Sequence, residues 1–485
     1  MAACSDILYG LDDRPPLGKA LVLGLQHVLT MFGSTVAVPL MLGPAMGMQT
    51  AEVAILISSV MLCSGLATLL QSTFGSRLPI IQGVSFSFLA AFLMIIAKIH
   101  PEGSDTSAGA AMPYIAGAVM VGAVLEMLVG FSGAMGMIRK VLSPVVVGPV
   151  IMLIGLALYS AGAPIAASYW PISILTMVLI ATFSFVLSRH HVAFRMFPLL
   201  LAMVGSVCVC GLLSAAGVFG VEHPARPNFD AFTSSDWIRT GGVVFPWGLP
   251  KFEVGFMVAV IAGYLASMIE SFGDYHACKQ MAGGGDPTPD EISRGIGFEG
   301  IGCALTGVFG GFSSTSYSEN VGLIGLTKVG SRYVVQIGAV MLICLGFFGK
   351  FGALAAAIPT PVVGGLYCAM FGLISAVGIR QFARADLSSD RNLFIGGFAL
   401  FMGISVPYYF ANGGADAVID TFPGSIADIF NAIGQTGMAV AAILGISLDN
   451  LIPGTRKERG LETTIIPEAG NPVPDPLFEA TTESV

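Results

Sequence analysis

The chain has 485 residues, 54% hydrophobic and only 11% charged, where soluble domains carry roughly 25% charged residues. This excludes a soluble globular protein and predicts an all-α polytopic membrane protein set in the lipid bilayer, its repeated apolar runs of about 20 residues acting as transmembrane helices. A formal charge of −8 speaks against a nucleic-acid partner.

The N-terminal segment, 1–17, carries Asp6, Asp12, Asp13 and two prolines, without the basic region and short apolar core of a cleavable signal peptide. Apolar spans then follow near 20–42, 52–73, 83–98, 111–133, 141–161, 168–187, 196–219, 254–273, 292–310, 319–327, 333–349, 353–379, 393–411 and 433–450. That predicts 14 segments, several of them short or interrupted. The 62 glycines fit such a chain, because small residues let membrane helices approach closely.

Basic residues test the threading. With the N-terminus inside, inner loops and tails hold 17 of them, including Arg77, Arg139, Lys140, Arg332 and Arg459. Outer segments hold Lys98, Arg226, Arg239, Lys251 and Lys350, and 17 + 5 accounts for all 22. The bias predicts a multi-pass cell-membrane protein with both termini cytoplasmic. Val221–Lys251, with Trp237 and Trp247, reads as an outer interfacial cap, and Gly283–Asp290 as a turn. The Pro-, Glu- and Thr-rich tail from Asn471 onward is expected to be disordered. The eight cysteines are scattered with no zinc or disulfide spacing, so no metal or cofactor is expected.

Ser143-Pro-Val-Val-Val-Gly148 is echoed by Thr360-Pro-Val-Val-Gly-Gly365, and Gly155 and Gly372 follow seven residues past Gly148 and Gly365. These words fall in the fifth and twelfth spans, so each half would hold seven segments. An odd number per half forces opposite orientations, hence a 7+7 inverted repeat.

Ser313–Lys328 starts too polar for a lipid-facing segment and then turns apolar at Val321. It reads as a broken helix: extended backbone, then a half-helix with its amino end inside the protein. Irregular backbone at membrane depth is tolerated only when protein-buried or lining a cavity. Leu78–Phe88 has the same form in the first half, a Pro-started β-branched run before a Gly/Ser break. Two short antiparallel strands, in segments 3 and 10, could satisfy each other's backbone and aim two helix amino ends at one cavity.

Intramembrane ionisable groups are functional by default. Those read here are His27, Glu270, Asp274, Glu299 and Glu319. Glu270 and Asp274 lie four apart, on one helical face. With Glu319 they make three carboxylates for one cavity, and burial with mutual repulsion should leave at least one protonated near neutral pH. Blander readings exist: Asp274 could end its helix at the surface, Glu299 could be interfacial, and His27 could be a satisfied core residue. Carboxylates accept N–H groups, helix amino ends donate to carbonyls, and Phe86 and Tyr317 offer flat faces. A small planar heterocycle fits all three, whereas an inorganic anion would be repelled.

At these residues the chain resembles the nucleobase–ascorbate transporter family, nucleobase:cation symporters of the uracil and xanthine permease kind. The family signature is Gln/Glu/Pro-Asn-x-Gly-x-x-x-x-Thr-Arg/Lys/Gly. Glu319-Asn-Val-Gly-Leu-Ile-Gly-Leu-Thr-Lys328 agrees at every fixed position. Gln26-His27, Gln82–Phe86, Glu270–Asp274 and Pro453–Gly460 are similar to further family landmarks, in family order.

The resemblance implies a core domain of residues 18–133 and 252–349 and a gate domain of 139–219 and 350–450. Residues 220–251 would form the outer loop and 451–485 the inner C-terminal tail. It also implies a homodimer working by an elevator-like motion, and no enzymatic activity. Glu270 and Glu319 would bind the base, and Phe86, Tyr317 and Ser318 would line the pocket. Asp274 would be proton-linked, with His27, Gln26, Asn320 and Glu299 in support. Glutamate at position 319 is similar to uracil carriers, which implies proton-coupled uracil uptake. Asp274 is more purine-like, toward xanthine or urate. Leu326–Arg332 and Ser389–Phe394 resemble the ascorbate branch, whose members use sodium. Anion transporters of the related sulfate-permease architecture are the alternative from another class.

Overall fold

The computed structural model describes residues 7–101, 106–136, 141–239, 241–415, 418 and 424–461. The charges at Asp6, Arg139 and Lys140 and the tail from Asn471 onward lie outside the described residues. Helix accounts for nearly all the regular structure. The first part of the chain gives α1 (Leu17–Ala45), α2 (Thr50–Thr73), β1 (Gln82–Val84), α3 (Leu89–Ile99) and α4 (Met112–Phe131). Then come α5 (Pro144–Ala157), α6 (Tyr159–Ala166), α7 (Trp170–Ala181), α8 (Val192–Met196), α9 (Pro198–Ala215) and α10 (Asp230–Ser234).

The second part gives α11 (Val254–Met281), α12 (Pro289–Phe309), β2 (Ser314–Ser316), α13 (Ser318–Thr327) and α14 (Arg332–Phe347). It closes with α15 (Gly349–Ala356), α16 (Thr360–Phe382), α17 (Asp390–Tyr409), α18 (Gly424–Gln435) and α19 (Gly437–Leu451). Among the described residues, 9 helices are long and apolar enough to cross a membrane. The count is 10 if the pair Ile429–Gln435 and Gly437–Leu451, bent by 95°, is one span. Phe86–Ile99 and Arg332–Phe347 are shorter apolar helices. α12 falls outside the set; its length holds Asp290, Glu291, Arg294 and Glu299 and many glycines.

Local chemistry explains the ends. α12 begins at a capping box in which Thr288 Oγ1 accepts from Glu291 N at 3.3 Å and Glu291 accepts back from Thr288 N, with Pro289 in the first turn. It stops at Gly310, whose φ of +71° suits a residue without Cβ. The segment 353–379, read as one span, is instead two helices, α15 and α16. Pro359 and Pro361 bracket the start of α16, and proline cannot extend the helix before it.

β1 and β2 pair antiparallel, Gln82 opposite Ser316, Gly83 opposite Thr315 and Val84 opposite Ser314. Ser85 N to Ser313 O (2.9 Å) and Tyr317 N to Ile81 O (3.1 Å) extend the ladder at both ends. Each strand thus satisfies much of its backbone through the other, with Thr68, Ser271 and Cys303 side chains meeting further strand groups. The strands lead directly into the 3₁₀ turn Phe86–Phe88 with α3 and into α13.

Close helix crossings use glycine. A Cβ on Gly130 would come 2.2 Å from Gly297 N, so α4 and α12 touch backbone to backbone. The repeated Pro-Val-Val words start α5 and α16, which pack on each other: a Cβ on Gly155 would meet Phe371 O at 2.3 Å. The Val221–Lys251 loop is fastened to the protein rather than free. Arg239 N donates to Phe347 O (2.8 Å), and Trp247 Nε1 donates to Gly310 O (3.2 Å).

Candidate functional site

The site grows from the amino end of α13. Tyr317 precedes the helix in extended conformation, and Ser318 and Glu319 occupy its first turn. Both Ser318 and Glu319 are exposed rather than packed into the interior. α11 supplies the opposite side. It runs on to Met281, so Asp274 lies within the helix and not at its end, 8% exposed. Ser318 Oγ donates to Asp274 Oδ1 at 2.7 Å, while Asp274 Oδ2 has no protein partner. Glu270, partly buried one turn earlier, lies within electrostatic reach of both Asp274 and Glu319. Ser34 of α1 approaches Glu319 Oε1 at 3.5 Å.

Behind α13 is a support layer. Asn320 is fully buried, and its Nδ2 donates to the His27 carbonyl at 2.9 Å and lies 3.1 Å from His27 Nδ1. With Nδ2 as donor, His27 Nδ1 accepts and the ring proton sits on Nε2. His27, 3% exposed, is therefore part of the polar network rather than a bare core residue. Gln26 is partly buried, and its Oε1 has no partner.

Tyr317, expected to offer a flat face, is almost wholly packed. It is 4% exposed, its hydroxyl donates to Val84 O (2.9 Å) and accepts from Thr35 Oγ1 (3.2 Å). Its ring fills the space over Gly83, where a Cβ would lie 2.5 Å from ring carbon. Tyr317 is a strut between α1, β1 and α13, with little surface left for a ligand. Phe86 stays partly buried, at the mouth of the 3₁₀ turn.

Glu299 is not interfacial. It is 1% exposed and accepts three hydroxyls: Ser267 (3.2 Å), Ser271 (2.7 Å) and Tyr275 (2.7 Å). With its proton on Glu299, Ser271 Oγ accepts from Ser316 Oγ at 2.9 Å, and Gln82 Nε2 donates to the same Ser316 Oγ at 3.1 Å. Glu299 thus braces the strand pair. Sequence reasoning missed Ser34, Thr35, Ser271, Tyr275 and Gln71, whose Nε2 donates to the Tyr275 hydroxyl at 2.6 Å; these are ordinary residues on apolar helices that only the packing brings together. It also missed Glu126, although that carboxyl stands inside the span read at 111–133 and was legible there.

A separate cavity of about 850 Å³ lies around α11 from the carboxylates, lined by Phe272, His276, Ser293, Arg456 and Arg459 among others. None of the sequence-predicted site residues lines it. No cluster of three or more His, Cys, Asp or Glu among the described residues could hold a metal ion.

A family model described as "Permease family" matches residues 18–412. Solute carrier family 23 member 1 of Rattus norvegicus is 36% identical, covering 94% of this chain and 82% of its own length. Solute carrier family 23 member 2 of Homo sapiens is 35% identical over 94% of this chain and 76% of its own length. Nucleobase-ascorbate transporter 2 of Arabidopsis thaliana is 34% identical over 93% and 90%. Among solved structures, the transmembrane domain of a cyanobacterium bicarbonate transporter, BicA, is similar in fold, with a TM-score of 0.59, 14% identity and coverage of 89% of this chain and 100% of that one. Murine Solute Carrier 26 family member A9, in an inward-facing state, gives 0.56 at 11% identity over 91% and 69%. With the signature lying on the first turn of α13 and relatives above 30% identity along nearly its whole length, the chain belongs to the nucleobase–ascorbate transporter family.

Proposed function

We propose that the protein is a secondary-active carrier that takes up a nucleobase, uracil first, together with a proton. The observation that carries this reading is the proximity of Glu270, Asp274 and Glu319 beside the amino end of α13, where Ser318 donates to Asp274. Glu270 and Glu319 accept ring N–H groups, and backbone N–H groups at the amino end donate to a carbonyl oxygen. A proton on one carboxyl lowers repulsion inside the site, so proton entry and base binding favour each other. Asp274 suits this role: one oxygen is tied to Ser318 and the other is free.

The core domain of this reading is 18–133 with 252–349, and the gate domain is 139–219 with 350–450. The paired strands and the twin Pro-Val-Val helix starts support a seven-plus-seven inverted repeat of 14 segments. Where α11 meets α5 and α19, the contact is aliphatic: Val146, Val150 and Ala442 face Ala262, Ala266 and Ile269. Such a surface suits sliding of core against gate in an elevator-like cycle, in a homodimer with both termini cytoplasmic.

Radiolabelled uracil uptake into proteoliposomes tests the reading, with and without a protonophore and with sodium replaced by choline. Uptake should fall when the proton gradient is removed. Unlabelled xanthine, urate and ascorbate, added as competitors, rank the purine-type and sodium-coupled ascorbate alternatives. No nucleobase uptake under any gradient overturns the reading, and chloride or bicarbonate currents would point to an anion transporter instead. Glu319→Gln should shift preference from uracil toward xanthine or abolish transport. Unchanged uracil kinetics in that variant would place Glu319 outside the site.

A further inference from the structure

Glu126 lies in the last third of α4, is 0% exposed, and neither of its carboxyl oxygens accepts a well-formed hydrogen bond. The ionisable groups close enough to interact with it are Glu299 and Cys303 of α12 and Tyr264 and Tyr275 of α11. None is a cation, and the one donor that reaches toward Glu126 is the weak thiol of Cys303. Tyr264 donates to Val119 O (2.8 Å), Tyr275 to Glu299 Oε2 (2.7 Å) and Cys303 to Ser314 O (3.3 Å).

Glu299 is the opposite case, since three hydroxyl protons converge on it. Three donated protons describe an ionised carboxylate, and the bare oxygens of Glu126 do not. A second unpaired carboxylate beside the first, sealed from water, would carry a prohibitive desolvation cost. The seal is tight: a Cβ on Gly300 would come 2.8 Å from Met127 N and 2.9 Å from Ala123 O, leaving no channel along this crossing of α4 and α12.

We propose that Glu126 and Glu299 hold one buried proton between them, a second proton-binding site of the carrier, distinct in its residues from Glu270, Asp274 and Glu319. The site rests on the placement of α4, α11 and α12 within the membrane and not on which base is carried. It touches the strand pair at two points, through Ser271 to Ser316 and through Cys303 to Ser314. Loss of the proton would leave two like charges facing each other across the α4–α12 contact. The strand pair, and with it the first turn of α13, stands next in line to that strain.

Infrared difference spectroscopy on the full-length carrier, purified and reconstituted in lipid without substrate, tests the proposal. At neutral pH, in an Asp274→Asn background that removes the other proposed proton site, a protonated-carboxyl band should be present, persist on adding Glu319→Gln or Glu270→Gln, and vanish on adding Glu126→Gln. Glu299→Gln should shift the band without removing it. Should Glu126→Gln fail to fold, Cys303→Ser keeps both carboxyls and alters their neighbour, so the band must move. A band that ignores both Glu126→Gln and Cys303→Ser overturns the proposal. A band present in choline and abolished by sodium at equal ionic strength also overturns it, in favour of a sodium site.

Discussion

Asn320 joins the signature helix to α1 through a single buried amide. Its Nδ2 serves the His27 carbonyl and ring nitrogen, while its Oδ1 has no partner. Loss of such a buried hydrogen bond costs about 1–3 kcal/mol, because the acceptor left behind stays out of water. Asn320→Ala should therefore lower the unfolding temperature by about one to three degrees and reduce uptake at least tenfold. A variant with unchanged unfolding temperature and uptake would show that the Asn320–His27 contact is idle. The carboxylates on α11 were legible from the sequence, because a four-residue spacing in an apolar run fixes a shared helical face. Tyr317 was not, since whether an aromatic ring lines a cavity or props a strand depends on what lies across from it. The last signature position has a backbone explanation. Lys328 ends α13 at φ +57°, a left-handed conformation that glycine adopts without cost, which is why glycine can stand there in the family pattern.

At the scale of elements, the strand pair was readable because its two segments shared a pattern: a β-branched or hydroxyl-rich run ahead of a helix start. Its register was not, because register here depends on Tyr317 lying over Gly83. A methyl group at Gly83 would meet the Tyr317 ring at 2.5 Å, with that ring held by Val84 O and Thr35. Overpacking of this kind costs about 1–3 kcal/mol and must displace either the strand or the ring. Gly83→Ala should weaken uracil binding and uptake together, measured as a rise in the apparent binding constant and a fall in maximal rate. Gly83→Ala combined with Tyr317→Phe, which frees the ring from Val84, should recover part of the loss. Absence of any recovery in the double variant would separate Gly83 from Tyr317. The helix count was less legible than the helices themselves. Apolarity marks where a helix runs, but it does not say whether a proline break such as that between α15 and α16 divides one crossing or joins two.

At the scale of the whole molecule, an elevator cycle requires that core and gate be held together and yet be free to slide. Most of the contact along α11 meets the second need, being aliphatic and without directional bonds. Tyr367 of α16 meets the first. It is 1% exposed, and its hydroxyl donates to Ala37 O of α1 at 2.8 Å, across the proposed domain boundary. A bond made in one conformation and broken in the other biases the equilibrium by its net worth, about 1 kcal/mol or roughly fivefold. Tyr367→Phe keeps the ring and its stacking on Phe371 while removing that bond. The variant should change the maximal rate of uptake severalfold with little change in the concentration giving half-maximal rate, since no site residue is touched. If uptake is limited by leaving the conformation seen here, the rate rises; if by returning to it, the rate falls. A maximal rate indistinguishable from the unaltered protein would mean that Tyr367 and Ala37 travel together, and that the boundary between the moving bodies lies elsewhere.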